Sequence, residues 1–319
     1  MSTNNNTIDT TQTLLVGIEM RLPPQSRELK QVATQAESKA HAAAGTTRAS
    51  LHYWRWEETS STTFSKGKNK GQTKSSLVKR DGLETLKSFQ SSFKAALEHY
   101  ARFPFATGAK LLPAALAEPF FKTKEQYEKQ LPEVWKKWAY DEYPDLAKNA
   151  PNRMGTFYSG EDFPTLDVCF ESFQCEVTVI PLASADQWQR IALLAPDLAA
   201  TQQQLTDQAY SKGMKEAHEK LWAQVMEPIQ HAVDTLSKDK TKIYDSLVGN
   251  IISIVDLIPA YNNVFKDDHL SQLAEQAKKA FSEIKPDDLR SSVEAKAAML
   301  ESAKNIVNTF KPYARKLAV

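Results

Sequence analysis

The residues that come nearest to a chemical motif lie between Ser60 and Arg80. Gly67-Lys-Asn-Lys-Gly71-Gln-Thr-Lys74-Ser75 carries glycines, lysines and hydroxyls in roughly the order of a phosphate-binding loop. That loop needs four residues between its glycines and a lysine directly after the second, so that backbone N–H groups and one ammonium converge on a phosphate. Here three residues separate the glycines, Gln72 and Thr73 precede Lys74, and no strand leads straight into the segment. Nucleotide binding is therefore not supported. What the segment does hold is charge: Lys66, Lys68, Lys70, Lys74, Lys79 and Arg80, with no acid among them, and Trp54, Arg55 and Trp56 just ahead. Cations for phosphates beside ring faces for bases are what single-stranded nucleic acid binding uses. A basic loop would equally meet an acidic protein surface. The plainer reading is a solvated hairpin loop with the tryptophans in the core.

Other reactive side chains are scattered. The six histidines, at 41, 52, 99, 218, 231 and 269, form no His-Glu-x-x-His pair, and no Cys-x-x-Cys is present. Glu227 and His231 share a helix face at i,i+4, and Glu216 lies close to His218; both read as solvated surface pairs. There is no Gly-x-Ser-x-Gly elbow. Carboxylates are plentiful, but nothing in their order pairs two across a cleft. Cys169 and Cys175 fall in a segment that reads as one strand, which would hold them roughly 20 Å apart at about 3.3 Å per residue. A disulfide needs Cα atoms within about 7 Å, so both are expected to be reduced core thiols, which fits a cytoplasmic compartment. No catalytic residue, metal ligand or cofactor is expected, and the chain reads as a non-enzyme.

The elements that must carry these side chains follow from periodicity. In 319 residues, 41% hydrophobic and 25% charged, there is enough apolar surface for a substantial core. Net charge is +1, but residues 1–120 carry 16 Lys and Arg against 10 Asp and Glu, a local +6 that leaves the rest at −5. Residues 1–12 are polar and read as a disordered tail without a signal pattern. Leu14, Val16, Ile18, Met20 and Leu22 alternate into a half-buried strand stopped by Pro23-Pro24. A helical stripe from Leu29 to Ala43 ends at Gly45, and an aromatic strand covers about 49–57. Residues 60–80 read as a flexible loop. A helix from Asp81, with Asp81 and Glu84 at capping-box spacing, carries Leu83, Leu86, Phe89, Phe93 and Leu97. A Trp-rich helix opens at Thr123, and a strand runs from Phe170 to Pro181. Beyond it Ser184 and Gln187 cap a short helix, then long helices follow at about 197–237 (bent or broken near Pro228), 242–258, 269–284 and from Pro286.

The expected fold is thus α+β and mostly helical. A small antiparallel or mixed sheet of about three strands with packed helices occupies 13–182, and an antiparallel helical bundle occupies 183–319. No apolar run approaches the roughly 20 residues of a membrane span; the longest, Leu247 to Ile258, contains Asn250, Ser253 and Asp256. No membrane association is expected.

The order of elements is itself informative. Leu51-His-Tyr-Trp-Arg-Trp-Glu57 precedes a Lys-rich connector, the helix at 81–101, the turn Phe103-Pro-Phe-Ala-Thr-Gly108 with Leu111-Leu112-Pro113, the Trp-rich helix at 123–140 and the strand 170–181. That order, over about 14–310, resembles an uncharacterised family of phage and bacterial proteins whose genes often neighbour MoxR-type AAA ATPases and von Willebrand A-type proteins. The resemblance implies a partner or client of such an ATPase in a bacterial or phage-infected cytoplasm, and brings no site residues with it. The first functional expectation is accordingly an interaction protein (adaptor, assembly factor or oligomeric subunit) that binds a protein partner or itself. The alternative is a single-stranded nucleic-acid binder using Trp54, Trp56 and the 66–80 segment.

Overall fold

A computed structural model describes residues 12–28, 50–63, 73–105, 108–155, 158–161, 163–180, 192–193, 195–238, 246–282, 284 and 286–317. The fold is α+β and mostly helical, with a small sheet and a helical C-terminal region. The helical stripe expected from Leu29 to Gly45 and the capped segment at Ser184 lie outside the described residues.

Four strands form the larger sheet in the order β6-β7-β1-β8, where β1 is Thr13–Arg21, β6 Phe103–Pro104, β7 Lys110–Pro113 and β8 Gln174–Ile180. β1 pairs antiparallel with β7, Thr13 opposite Pro113 and Val16 opposite Lys110. As an interior strand, β1 is covered on both faces over its first half, so Leu15 and Val16 are both buried. The single-face alternation read from Leu14 to Leu22 therefore fails there. Two further antiparallel pairs join β2 (Ser26–Glu28) to β3 (Ser50–His52), and β4 (Arg55–Thr63) to β5 (Thr73–Asp81). The stretch read as one strand over 49–57 is broken at Tyr53 and Trp54. Most of what read as loop over 60–80 is the β4–β5 ribbon, because Thr and Val suit a strand even without an apolar face and the serines among them are carried by cross-strand pairing.

The chain divides into two compact units that interleave in sequence: residues 1–17, 98–121 and 178–319 in the first, 18–97 and 122–177 in the second. This differs from a single cut near 182. Alternation marks where a strand ends, not which core its residues join, and the apolar 98–121 segment belongs with the C-terminal helices.

In the first unit the spine is α6 (Pro196–Leu236), a 41-residue helix with Pro at its first position. It runs unbroken through Pro228. Its buried stripe of Leu221, Trp222, Val225, Ile229 and Leu236 packs chiefly on α11 (Val293–Leu317). Between them in sequence come α7 (Ser246–Val255), α8 (Ile258–Phe265), α9 (Asp268–Phe281) and α10 (Pro286–Ser291). The last helix expected from Pro286 is thus two, parted at Ser292. Residues Ser246–Phe265 are, among the described residues, long and apolar enough to cross a membrane by length and composition. That run is longer than the one singled out from sequence, and Ile251, Val255, Ile258 and Tyr261 within it are buried in the bundle core. Phe103, Phe105 and Leu111 join the same core.

Two polar hubs fix this unit. Buried Tyr261 donates its hydroxyl proton to the Tyr100 carbonyl (2.5 Å) and accepts the Arg102 N–H (3.0 Å). Burial raises its pKa well above the ordinary tyrosine value. Asp267 caps α9: one oxygen accepts the N–H groups of His269 (2.9 Å) and Leu270 (3.2 Å), the other the Trp222 indole N–H (2.9 Å) and His218 Nε2 (2.9 Å). Burial alone would raise its pKa, but the donors from His218, Trp222 and Leu270 outweigh it and hold the carboxyl at about 2. A folded-state pKa below the unfolded value stabilises above the unfolded pKa, and that stability is lost as pH falls through the folded one. Asp267→Ala is therefore expected to lower the unfolding free energy at pH 7 by about 2–3 kcal/mol. The gap from wild type should narrow between about pH 4 and pH 2. Urea titrations across that range measure both; a gap independent of pH would contradict the cap-and-charge account.

Candidate functional site

The described part of the basic segment, residues 73–80, belongs to the second unit. Its core is an aromatic cluster: Trp54 meets Trp138 edge-on at 5.7 Å and Phe163 at 5.2 Å, and Tyr53 and Tyr143 close the group. Each polar ring atom has an acceptor. The Trp54 indole N–H donates to the Pro24 carbonyl (2.6 Å), that of Trp138 to the Gly82 carbonyl (2.7 Å), and the Tyr143 hydroxyl to the Pro164 carbonyl (3.0 Å). Gln90, on α1 (Glu84–Glu98), is buried and donates to the carbonyls of Arg21 and Gln174, tying this helix to β1 and β8.

The ribbon is clamped to this core at its base. The Gly82 N–H donates to the Trp54 carbonyl (2.7 Å). Asp81, the last residue of β5, accepts the Leu83 N–H (3.0 Å) and the Lys87 ammonium (2.5 Å), with Arg55 Nε at 3.5 Å. Burial pushes the Asp81 pKa up, and the Lys87, Leu83 and Arg55 donors bring the net below the ordinary value. Gly82 is required by close approach, since a Cβ there would lie 2.6 Å from Leu146 Cδ2.

The residues singled out from sequence do not stay together. Trp54 is 1% exposed, so its ring face is not available to a base. Trp56 is half-buried beneath the Arg153 guanidinium, 4.9 Å from the ring centroid. Arg55 leans on Asp81, Lys79 lies 4.0 Å from Glu57 across the ribbon with its side chain 88% exposed, and Arg80 is exposed opposite Trp56. Lys74 sits on β5 opposite Thr62, while Lys66, Lys68 and Lys70 lie outside the described residues. Beside the ribbon's base, Trp56, Asp81, Asp141, Glu142, Asp145 and Arg153 line a cleft of about 600 Å³. Arg153 donates to the Leu146 carbonyl (2.7 Å), its Nε is buried without a protein partner, and desolvation lowers its pKa. Glu142 accepts the Thr85 hydroxyl (2.6 Å).

Catalytic groupings fare poorly. Cys169 is not on a strand but on α5 (Leu166–Ser172), which also takes Phe170; Cys175 is on β8. Both thiols are free and buried. Desolvation pushes Cys169 up to about 12, which removes the thiolate needed for nucleophilic chemistry. The His218–Asp267 pair, invisible in sequence because 49 residues separate its members, has the look of half a hydrolase triad. Its imidazole stacks on Phe265 at 4.7 Å, and no hydroxyl or thiol bonds to the ring among the described residues. It serves the α9 cap. Among the described residues no three His, Cys, Asp or Glu side chains are grouped to hold a metal.

Comparison with protein-family models, with curated proteins and with solved structures returns no match.

The clamp can be tested directly. Gly82→Ala should lower the unfolding free energy by about 1–3 kcal/mol through overpacking against Leu146. Gly249→Ala, on α7 with open space around the added methyl, should be neutral or raise it by about 0.5–1 kcal/mol. Thermal unfolding of both variants decides; equal effects would mean that Gly82 is not sterically committed.

Proposed function

We propose that this chain is a non-enzymatic interaction protein, an adaptor or assembly factor, that engages an acidic protein partner through the β4–β5 ribbon. The observation that supports this reading is the ribbon's make-up. Nine residues of β4 pair with nine of β5, and among the described residues neither strand pairs with any other. From Trp56 to Thr63 that is roughly 23 Å of two-stranded ribbon at about 3.3 Å per residue. An isolated two-stranded hairpin is marginal in water unless something packs on it. Beyond Glu58 and Val78 the ribbon has only Ser, Thr, Lys74 and Leu77, the last 71% exposed. Nothing in that composition asks to be buried in this chain's own cores, while both outer edges offer backbone donors and acceptors to an incoming strand. Glu57 and Lys79 balance each other near the base, whereas 66–74 is purely basic in sequence.

The partner class follows from the resemblance noted above: a MoxR-type AAA ATPase, or a client delivered to it, in a bacterial or phage-infected cytoplasm. The chain carries no Walker motif, so the ATPase would supply the motor. Single-stranded nucleic acid is the second reading, favoured by the same excess of cations. It loses ground because Trp54 is buried and Trp56 lies under Arg153, which takes away the stacking faces such binding relies on.

Light scattering after size-exclusion chromatography, at low and moderate salt with absorbance at 260 and 280 nm, separates the readings. The expected result is protein free of nucleic acid that forms a defined complex with a purified MoxR-type ATPase. Lys74→Glu, Lys79→Glu and Arg80→Glu together should weaken that complex by at least about tenfold. Salt-removable nucleic acid on the purified chain would favour the second reading. A clean monomer indifferent to ATPase and nucleic acid would overturn both.

A further inference from the structure

The first unit has a cavity of about 500 Å³ along α6 and α7. Arg102, from the segment before β6, lines it, and Leu247 and Ile254 give it an aliphatic wall. A half-buried guanidinium ordinarily meets a carboxylate, because taking a charge out of water costs free energy that a counter-ion and hydrogen bonds must offset. Arg102 is half-buried and desolvated enough to depress its pKa, yet no carboxylate lies in ion-pair range of it among the described residues. Its Nε donates to the His99 carbonyl (3.1 Å) and one Nη to His99 Nδ1 (3.3 Å). Burial and the Arg102 charge hold the His99 pKa below its ordinary value, so the ring accepts as a neutral group and adds no counter-charge. Two of the five guanidinium N–H groups are thus used, and three remain on the two Nη atoms at the end of the fork. That end is the pair of donors that a carboxylate takes side by side. The other polar residues of the cavity do not supply the acceptor. The Gln224 side-chain oxygen is shut away beneath the surface, and Glu227 and His231 are solvent-exposed, where water and salt screen them.

We propose that this cavity binds an aliphatic monocarboxylate, in a small-molecule site separate from the ribbon. The carboxylate takes the two Nη groups of Arg102, and the hydrocarbon tail lies on Leu247 and Ile254. The volume is within the range of ordinary ligand pockets. An inorganic anion would leave the aliphatic wall unused, and an aliphatic amine would set a second cation against Arg102.

Isothermal titration of the full chain with hexanoate as the probe tests this. Saturable binding at one site per chain is expected, with a Kd of about 1 mM or below. Hexanamide, which lacks the charge, and acetate, which lacks the tail, should each bind at least about tenfold more weakly. Arg102→Gln should weaken hexanoate by a similar factor. Arg102→Lys, which keeps the charge and loses the fork, should restore only part of the binding. The bond to the Tyr261 hydroxyl comes from the Arg102 backbone N–H, so both variants keep it, and thermal unfolding verifies that they are folded. Ile254→Ala should weaken hexanoate at least about threefold and narrow its advantage over acetate, a second test that leaves the guanidinium in place. The proposal is overturned if neither hexanoate nor octanoate binds up to about 10 mM, beyond the weakest specific sites. It is equally overturned if hexanamide or acetate binds as well as hexanoate, or if Arg102→Gln or Ile254→Ala, once shown to be folded, binds hexanoate like wild type.

Discussion

A buried aromatic ring that carries one polar atom must bring that atom to an acceptor, and much of this molecule is arranged around meeting that demand. Trp54 reaches Pro24, Trp138 reaches Gly82, Tyr143 reaches Pro164, Tyr261 reaches Tyr100 and Trp222 reaches Asp267. Four of the five acceptors are backbone carbonyls in turns or element ends. Each bond therefore pins an irregular segment to a core that apolar packing alone would leave free to slide. The fifth, Asp267, turns a helix cap into a junction between α6 and α9. Large rings supply burial, and their single polar atoms supply register.

Element existence was legible wherever apolar spacing was strong. The stripe from Leu83 to Leu97 became α1, the Ile-rich face read over 243–258 gave α7, and the alternation from Leu14 to Leu22 gave β1, whereas α8 lies almost wholly beyond the helix read there. Boundaries moved where local signals competed. Phe170 and Cys169 look strand-like beside Phe173 and Cys175, but Thr165 accepts the Val168 N–H and starts a short helix instead. The Ser/Thr-rich stretch around residue 60 reads as loop because loops and polar strands share a composition, and only pairing partners tell them apart. The plainer reading of the two tryptophans puts both in the core. Trp54 is there, held by Trp138 and Phe163 far along the chain, while Trp56 is only half-buried.

The same limit applies to every polar grouping that matters here. His218 with Asp267, Arg153 with Trp56, and Arg102 with Gln224 each join residues tens of positions apart or more. The i,i+4 rule that picked out Glu227 and His231 finds neighbours on one helix, and it says nothing of the guanidinium brought to the same space from before β6. Chemistry assembled from single residues of several elements leaves no spacing to read.

The interleaving of the two units has a consequence for how the chain comes off the ribosome. All residues of the second unit have been synthesised once position 177 is made, so its aromatic core can close during translation. The first unit has Leu15, Phe103 and Leu111 in hand just as early, but the helices that bury them are encoded from 196 onward. Those apolar residues stay uncovered while nearly half of the chain is still to be made. Vectorial synthesis thus imposes a fixed order, the aromatic unit before the bundle, and the interval between the two is when a nascent-chain chaperone would have most to hold.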